Sequence, residues 1–330
     1  MPVRWAIIGC GDIANKAVAP AINGQPDSEL VAFFSNTPQR AEQMRDEHGA
    51  ERALSDLDEL LAADDIDAVY VASPVNRHAP ETIAALQAGK HVLCEKPMAL
   101  SVADAERMIA MAEEAGLRLG VAYYRRFFPV SRKIRELLDA QAIGKPIVCE
   151  ISICSRPMIT ADNPKYWRLF PEQAGGGALM DVGSHRLDLA CYFLGEPATV
   201  TGLTDRLDRD DMAVPDIESL LCRMQCGTHL HCTASWAISA RADELMIRGT
   251  EGAIEARNYD RGPLVLRRGE SVESFDLPPG ENWHAPLIDD FARALVEGRE
   301  PQITGRDGIL ATRIIEGCYR SSETGKTMEV

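Results

Sequence analysis

The sequence predicts an α/β chain: an N-terminal open parallel sheet with crossover helices, then a C-terminal α+β domain on a large, mostly antiparallel open sheet. Up to about residue 122, short β-branched or apolar runs alternate with helical apolar spacing, the form of repeated βαβ units. After Tyr123 the rhythm changes to alternating strands punctuated by glycine. A length of 330 residues exceeds what one growing core supports, so two domains are expected. Their bounds are read as 1–122 for dinucleotide binding and 123–330 for substrate binding and oligomerisation, with the last helix packing back on the first domain.

In the first domain the strands read as Val3 to Ile8, Leu30 to Phe34, Ala68 to Ala72, His91 to Cys94 and Arg118 to Val121. Between them, apolar residues at three- and four-residue spacing predict helices at Ile13 to Asn23, Pro38 to His48, Leu57 to Ala62, Pro80 to Ala88 and Val102 to Ala115. Gly49, Gly89 and Gly116 follow three of these closely, where a left-handed residue ends a helix.

In the second domain a charged helix, Ser131 to Ala140, precedes a Gly-Lys-Pro turn and a run of strands with turns expected at Gly202, Gly227, Gly252 and Gly262. Further helices are expected at Ala178 to Phe193, entered through Gly175-Gly176-Gly177, and at Ala285 to Glu297 and Arg306 to Tyr319. The loop from Arg156 to Ala174 holds Tyr166, Trp167 and Phe170, too aromatic for a plain linker and suited to a lid or interface.

Composition narrows the function. Lys and Arg number 35 against 50 Asp and Glu, an acidic balance that argues against nucleic acid and anionic membrane as partners. The chain opens on a strand pattern, without a basic and apolar leader, and no apolar run reaches a membrane-spanning length. A cytoplasmic protein with small-molecule partners is expected. Nine cysteines without framework spacing fit free thiols in a reducing compartment, so no structural disulfide is expected.

The first strand runs into Gly9-Cys10-Gly11-Asp12-Ile13-Ala14, which opens a helix. This is the dinucleotide fingerprint of a Rossmann domain, with Ala14 in the third small position. Gly9 allows the tight turn, Gly11 lets the backbone approach a pyrophosphate, and Ala14 packs the helix against the strand. Asp12 and Ile13 line the same turn. At the end of the second strand, where an Asp or Glu would bind the ribose of NAD, stands Ser35-Asn36-Thr37-Pro38-Gln39-Arg40. No carboxylate repels a 2′-phosphate there, and Ser35, Asn36 and Arg40 can donate to one, so NADP(H) is favoured and NAD(H) remains possible. The segment after the third strand, with Ser73, Pro74, Asn76 and His78, is placed against the cofactor; for His78 surface exposure is the equal alternative.

Chemistry points to two further segments. Glu95-Lys96-Pro97 puts a lysine at the C-terminal end of a parallel strand, where ligands bind in open α/β sheets. Asp181 and His185 stand four apart on one helix face. Oxidising a secondary alcohol removes the hydroxyl proton as hydride leaves. An imidazole with an unperturbed pKa of about 6.5 is the natural group to exchange that proton, which assigns His185. Lys96 would stabilise the developing alkoxide, and Asp181 would orient the substrate or the imidazole. Glu95 is read as bracing the lysine loop rather than as a base, and it is counted with Lys96 among the cofactor-binding residues.

These segments, together with Tyr123 to Phe127, Trp167-Arg168 and the C-terminal sheet, resemble the Gfo/Idh/MocA family of oxidoreductases over nearly the whole chain. The resemblance implies an NAD(P)-dependent oxidoreductase acting on a sugar, polyol or related hydroxy/oxo compound. It implies that Lys96 lies between nicotinamide and substrate, with Pro97 in a cis bond. Asp181 and His185 match the substrate-binding carboxylate and the acid/base histidine, and Trp167 and Arg168 a pair reaching the cofactor. Ser35 to Arg40 most resembles the NADPH-dependent 1,5-anhydrofructose reductase type. Tyr124, counted among the substrate-binding residues, stands where many members carry Asn.

Two alternatives belong to other classes: a ligand sensor that binds NAD(P) without turnover, and a glycosidase that recycles NAD. Cys222, Cys226, His229, His231 and Cys232 crowd one hairpin, but His229 and His231 share a face that Cys232 does not, and the spacing fits no zinc module. No metal is expected. A free face of the second sheet predicts a homodimer or homotetramer.

Overall fold

The computed structural model describes residues 1–330 and carries two separate sheets. The first is built from β1 (Val3–Ile8), β2 (Ser28–Phe34), β3 (Arg52–Leu54), β4 (Ala68–Val71), β5 (His91–Cys94) and β6 (Leu119–Val121). Their order is β3-β2-β1-β4-β5-β6 with every neighbouring pair parallel. This is the doubly wound arrangement whose order reverses beside β1, the switch point at which dinucleotides bind. Trp5 to Ile8 are fully buried, as expected of a strand covered on both faces, each large side chain contributing about 1.5–3 kcal/mol. Gly49 and Gly116 end their helices at φ 71° and 68°.

Two departures occur here. β3 was not expected: it is three residues long and only half-buried, and it forms by pairing Arg52 to Leu54 with the exposed edge at Ala32 to Phe34. The helix expected from Pro80 begins at Val75. Proline was read as its first residue, but Pro80 lies inside it; burial of Val75, His78 and Ala79 offsets the hydrogen bond that proline cannot donate. Asn76 and His78 therefore belong to a helix's first turn, not to a loop.

The second sheet comprises β7 (Pro146–Cys154), β8 (Pro197–Asp205), β9 (Ile217–Met224), β10 (His229–Ser235), β11 (Ala242–Gly249), β12 (Ala253–Ala256), β13 (Leu264–Arg268), β14 (Ser271–Phe275) and β15 (Met328–Glu329). Their order is β14-β13-β12-β11-β7-β10-β9-β8-β15, antiparallel throughout except for β7 with β10. Alternation is clean: Leu220, Cys222, Leu230, Cys232, Leu245 and Ile247 are buried, while His229 and His231 point to the other, exposed face. Gly202 is not a turn but sits inside β8. A Cβ there would lie 2.4 Å from Cys318 Sγ, so the glycine admits the C-terminal helix.

The chain clusters into two units, Met1–Tyr124 with Glu281–Ile309, and Arg125–Gly280 with Leu310–Val330. The segment 281–309, expected in the second domain, joins the first. Phe291 packs on Trp5 with ring centroids 5.6 Å apart, and Val121 N–H donates to Ile303 O at 3.3 Å. The last helix, Gly305–Thr324, is divided between the units: Gly308 lies against Val121, whereas Gly317 lies against Val200. All nine cysteines are free, and only Cys226 is exposed. No helix is long and apolar enough to cross a membrane.

Candidate active site

In the first unit the expected residues gather along the C-terminal edge of the parallel sheet. Gly9 adopts φ 105°, and a Cβ on it would strike Ala72 C and Ser73 N at 2.8 Å, so only glycine passes there. Its N–H donates to Phe34 O at 2.9 Å, tying the turn to β2. A Cβ on Gly11 would meet nothing within 4 Å. The turn thus leaves open space beside Gly11, where a pyrophosphate would approach the backbone. Ala14 is fully buried, and a helical segment of wide, π-type turns, Ala14–Val18, follows. Asp12 is exposed and pairs with Lys16 at 3.6 Å; Ile13 is half-buried.

At the end of β2, Ser35 Oγ accepts from Thr37 N–H at 3.1 Å, while Asn36 and Arg40 are exposed. Burial pushes the Cys10 thiol up to about 12, against the opposing charge of Arg40. No carboxylate lies in the stretch from Ser35 to Arg40. The residues present fit a dinucleotide, and they set no carboxylate against its adenosine ribose.

His78 is neither exposed nor free to face a ligand. It is 1% exposed, with Nδ1 2.8 Å from Pro97 O and Nε2 2.9 Å from Ser73 O. It ties the segment after β4 to the segment after β5. Ser73 Oγ donates to Glu81 at 2.5 Å, and Pro74 caps the helix that begins at Val75, with Asn76 exposed in its first turn.

Lys96 follows β5 directly, half-buried, and its bond to Pro97 is cis. Glu95 beside it is buried and fixes the backbone: Lys96 N–H donates to Oε2 at 3.0 Å, while Tyr70 hydroxyl donates to Oε1 at 2.7 Å. Burial alone would raise this carboxyl. The hydrogen bond and charge of His284, the charge of Lys96 and the Tyr70 hydroxyl together outweigh it and hold Glu95 at about 2. Sequence reasoning missed His284. It is 1% exposed, with Nε2 3.5 Å from Glu95 Oε1, and it stacks on Tyr124 at 4.3 Å between ring centroids. The signal was a Trp283-His284 pair before a helix. Tyr124 is buried and also packs on Trp283.

In the second unit, Arg168 donates to Asp181 Oδ2 at 2.7 Å and lies over Trp167, 5.5 Å from its ring centroid. Asp181 stands in a π-helical turn, Leu179–Gly183, that runs into the helix Ser184–Leu194 bearing His185. The wider turn replaces the single helix expected from Ala178. His185 is 4% exposed. Three ion pairs anchor its helix: Arg186 to Asp243 at 2.6 Å and to Asp260 at 3.1 Å, and Asp188 to Arg126 at 2.7 Å. The Arg186–Asp243 and Arg126–Asp188 partners stand 57 and 62 positions apart in the sequence, so neither pair is visible without the fold.

A family model described as an oxidoreductase family with an NAD-binding Rossmann fold matches residues 3–123, and the GFO/IDH/MocA C-terminal domain matches residues 131–255. The chain is 29% identical over 332 residues to 1,5-anhydro-D-fructose reductase of Ensifer adhaerens, covering 99% of this chain and 98% of the relative. Aldose-aldose oxidoreductase from Caulobacter crescentus, solved with glycerol, superposes with a TM-score of 0.90 at 29% identity over 100% of both chains. A 3-ketoreductase from Actinomadura kijaniata, solved with NADP and TDP-benzene, gives a TM-score of 0.86 at 28% identity over 97% of this chain and 98% of that one. The chain belongs to the Gfo/Idh/MocA family of NAD(P)-dependent oxidoreductases.

Proposed function

We propose that this enzyme transfers hydride between NADP(H) and a ring carbon or carbonyl of a sugar, polyol or related compound. One observation carries the reading: Lys96 stands on the sheet edge that holds the glycine turn, its backbone fixed by Glu95, which Tyr70 and His284 hold in turn. With the backbone held in this way, the lysine side chain starts from a set position on that edge.

When bound, the nicotinamide supplies or accepts the hydride. Gly9, Gly11, Asp12 and Ile13 would hold the pyrophosphate, and Ser35, Asn36 and Arg40 the adenosine 2′-phosphate. His78 supports the segments after β4 and β5 from behind. In reduction, Lys96 draws the carbonyl oxygen and stabilises the alkoxide as it develops, and His185 delivers a proton to that oxygen. In oxidation the same groups work in reverse. Asp181, aligned by Arg168, accepts a substrate hydroxyl, and Trp167 and Tyr124 supply surfaces against cofactor and sugar. The relatives named as sugar reductases support this substrate class, and the neighbour solved with NADP supports the cofactor preference.

The reading includes a cytoplasmic location, supported by nine free thiols. It also includes self-association through the exposed face of the second sheet. That face carries Leu203 and Leu221 in the open and a depression of about 490 Å³ lined by Thr201, Leu203, Leu221, His231 and Met246.

The test is a screen of sugars, polyols and osones with each nicotinamide cofactor, followed at the nicotinamide band. Turnover with NADPH or NADP supports the reading. Tight cofactor binding without hydride transfer on any substrate would establish a sensor instead, and glycoside cleavage without net absorbance change would establish the cofactor-recycling glycosidase.

A further inference from the structure

We infer that Glu218 and Tyr319 are positioning residues for the turn that carries Asp181 and His185, and that the Gly175-Gly176-Gly177 triplet serves to admit them. The inference rests on the proposed roles of Asp181 and His185 and adds what holds those two groups in place.

Three elements distant in sequence meet at the start of that turn. A Cβ on Gly176 would lie 1.9 Å from Tyr319 Oη, and one on Gly177 would lie 2.1 Å from Pro215 O and 2.6 Å from Glu218 Oε1. Both glycines are thus required by close approach of another chain segment, not by entry into a flexible hinge. The Glu218 carboxyl, fully buried on β9, lies against Gly177 and receives the Tyr319 hydroxyl on Oε1 at 3.2 Å. One turn on, Asp181 N–H donates to Gly177 O at 3.1 Å. The hydrogen-bonded carboxyl and hydroxyl therefore wall the start of the turn, immediately before the two residues assigned to the substrate.

A glutamine would fill the same space and accept the Tyr319 hydroxyl, and so would a neutral carboxylic acid. Burial pushes the Glu218 carboxyl up to about 8, against the lowering effect of its hydrogen bonds, and Asp216 adds to the rise. Tyr319, Cys318 and Cys232 face it from the other packed elements, all held neutral by burial. Near neutrality the group is thus an uncharged acceptor and donor, and Glu218→Gln mimics it.

The experiment compares Glu218→Gln, Glu218→Ala and Tyr319→Phe with the unaltered enzyme in the presence of NADPH and the best sugar from the screen. Amide hydrogen exchange over 177–185 is measured beside kcat, KM and cofactor affinity. In Glu218→Ala, exchange over 177–185 is expected to quicken about tenfold or more and kcat to fall by a similar factor, with cofactor affinity unchanged. Glu218→Gln restores both, and Tyr319→Phe shows the same pattern more weakly, which serves if Glu218→Ala does not fold. Unchanged exchange in Glu218→Ala and Tyr319→Phe, or a glutamine variant as impaired as the alanine one, overturns the inference. Loosened exchange with full turnover, together with an unimpaired His185→Ala, would overturn the roles given to Asp181 and His185 and leave the support of the turn standing.

Discussion

The hydroxyl of Tyr70 donates to Glu95 at 2.7 Å across two adjacent parallel strands, so the residue preceding Lys96 is set by the sheet and not by its own loop. Glu95 is held at about 2, below its ordinary value of 4.5, in spite of burial. A depressed carboxyl contributes stability that is present above the unfolded value and lost as pH falls through the folded one. Thermal melting of the unaltered protein is therefore expected to drop more steeply between pH 4.5 and about 2 than that of Glu95→Gln. Parallel curves would show that the Tyr70 and His284 contacts do not hold the charge.

The two glycines of the turn are expected to part company on substitution. Gly9→Ala forces a side chain into φ 105° and against the backbone of Ala72, at a cost of about 1–3 kcal/mol or more in unfolding experiments. Gly11→Ala meets open space, so stability should move by less than about 0.5 kcal/mol while NADP(H) affinity falls about tenfold or more. Calorimetric titration of both variants separates a structural turn from a ligand cradle.

Arg40→Ala is expected to raise the Michaelis constant for NADPH about tenfold and to leave that for NADH within about twofold, since only the former carries the 2′-phosphate assigned to the guanidinium. Equal effects on both cofactors would make Arg40 an ordinary exposed helix residue.

The roles assigned to Lys96 and His185 predict that Lys96→Met and His185→Ala each lower kcat by at least about 100-fold, with the dissociation constant of NADP(H) changed far less. Stopped-flow turnover beside equilibrium cofactor titration measures the split; near-normal rates in both variants would remove the assignment.

The helix bearing His185 depends on the Arg126–Asp188 pair, 7% and 1% exposed. Asp188→Ala removes the carboxylate that pairs with a buried guanidinium and is expected to destabilise by about 3–5 kcal/mol, whereas Arg126→Met combined with Asp188→Leu should cost much less. Denaturant unfolding of the two variants decides whether the pair contributes stability or only its disruption costs it.

Much of the scaffold was legible because it is written in local pattern. β1 and β5 and the helices Pro38–His48, Leu57–Ala62, Val102–Ala115 and Ala285–Glu297 fall where the apolar spacing and glycine stops put them. β3 was not legible, since an edge strand of three residues has no period to read and exists by pairing. Gly202 misled because a glycine within a strand looks like a turn until the helix lying on it is known. His284 and Glu218 were missed for a related reason: a single polar residue carries no signal of burial, and each acquires its role from a partner over a hundred positions away.

By itself the sequence determined the parallel sheet, the glycine turn at its first strand and the residue types suited to hydride exchange, because period, turn chemistry and motif are properties of neighbouring residues. Only the tertiary structure decided which carboxyls are buried, which arginines they bind, and that residues 281–309 complete the first unit. Burial and pairing depend on segments far apart in the chain, and the energies that shift a proton or anchor a helix arise only once water has been excluded from between them.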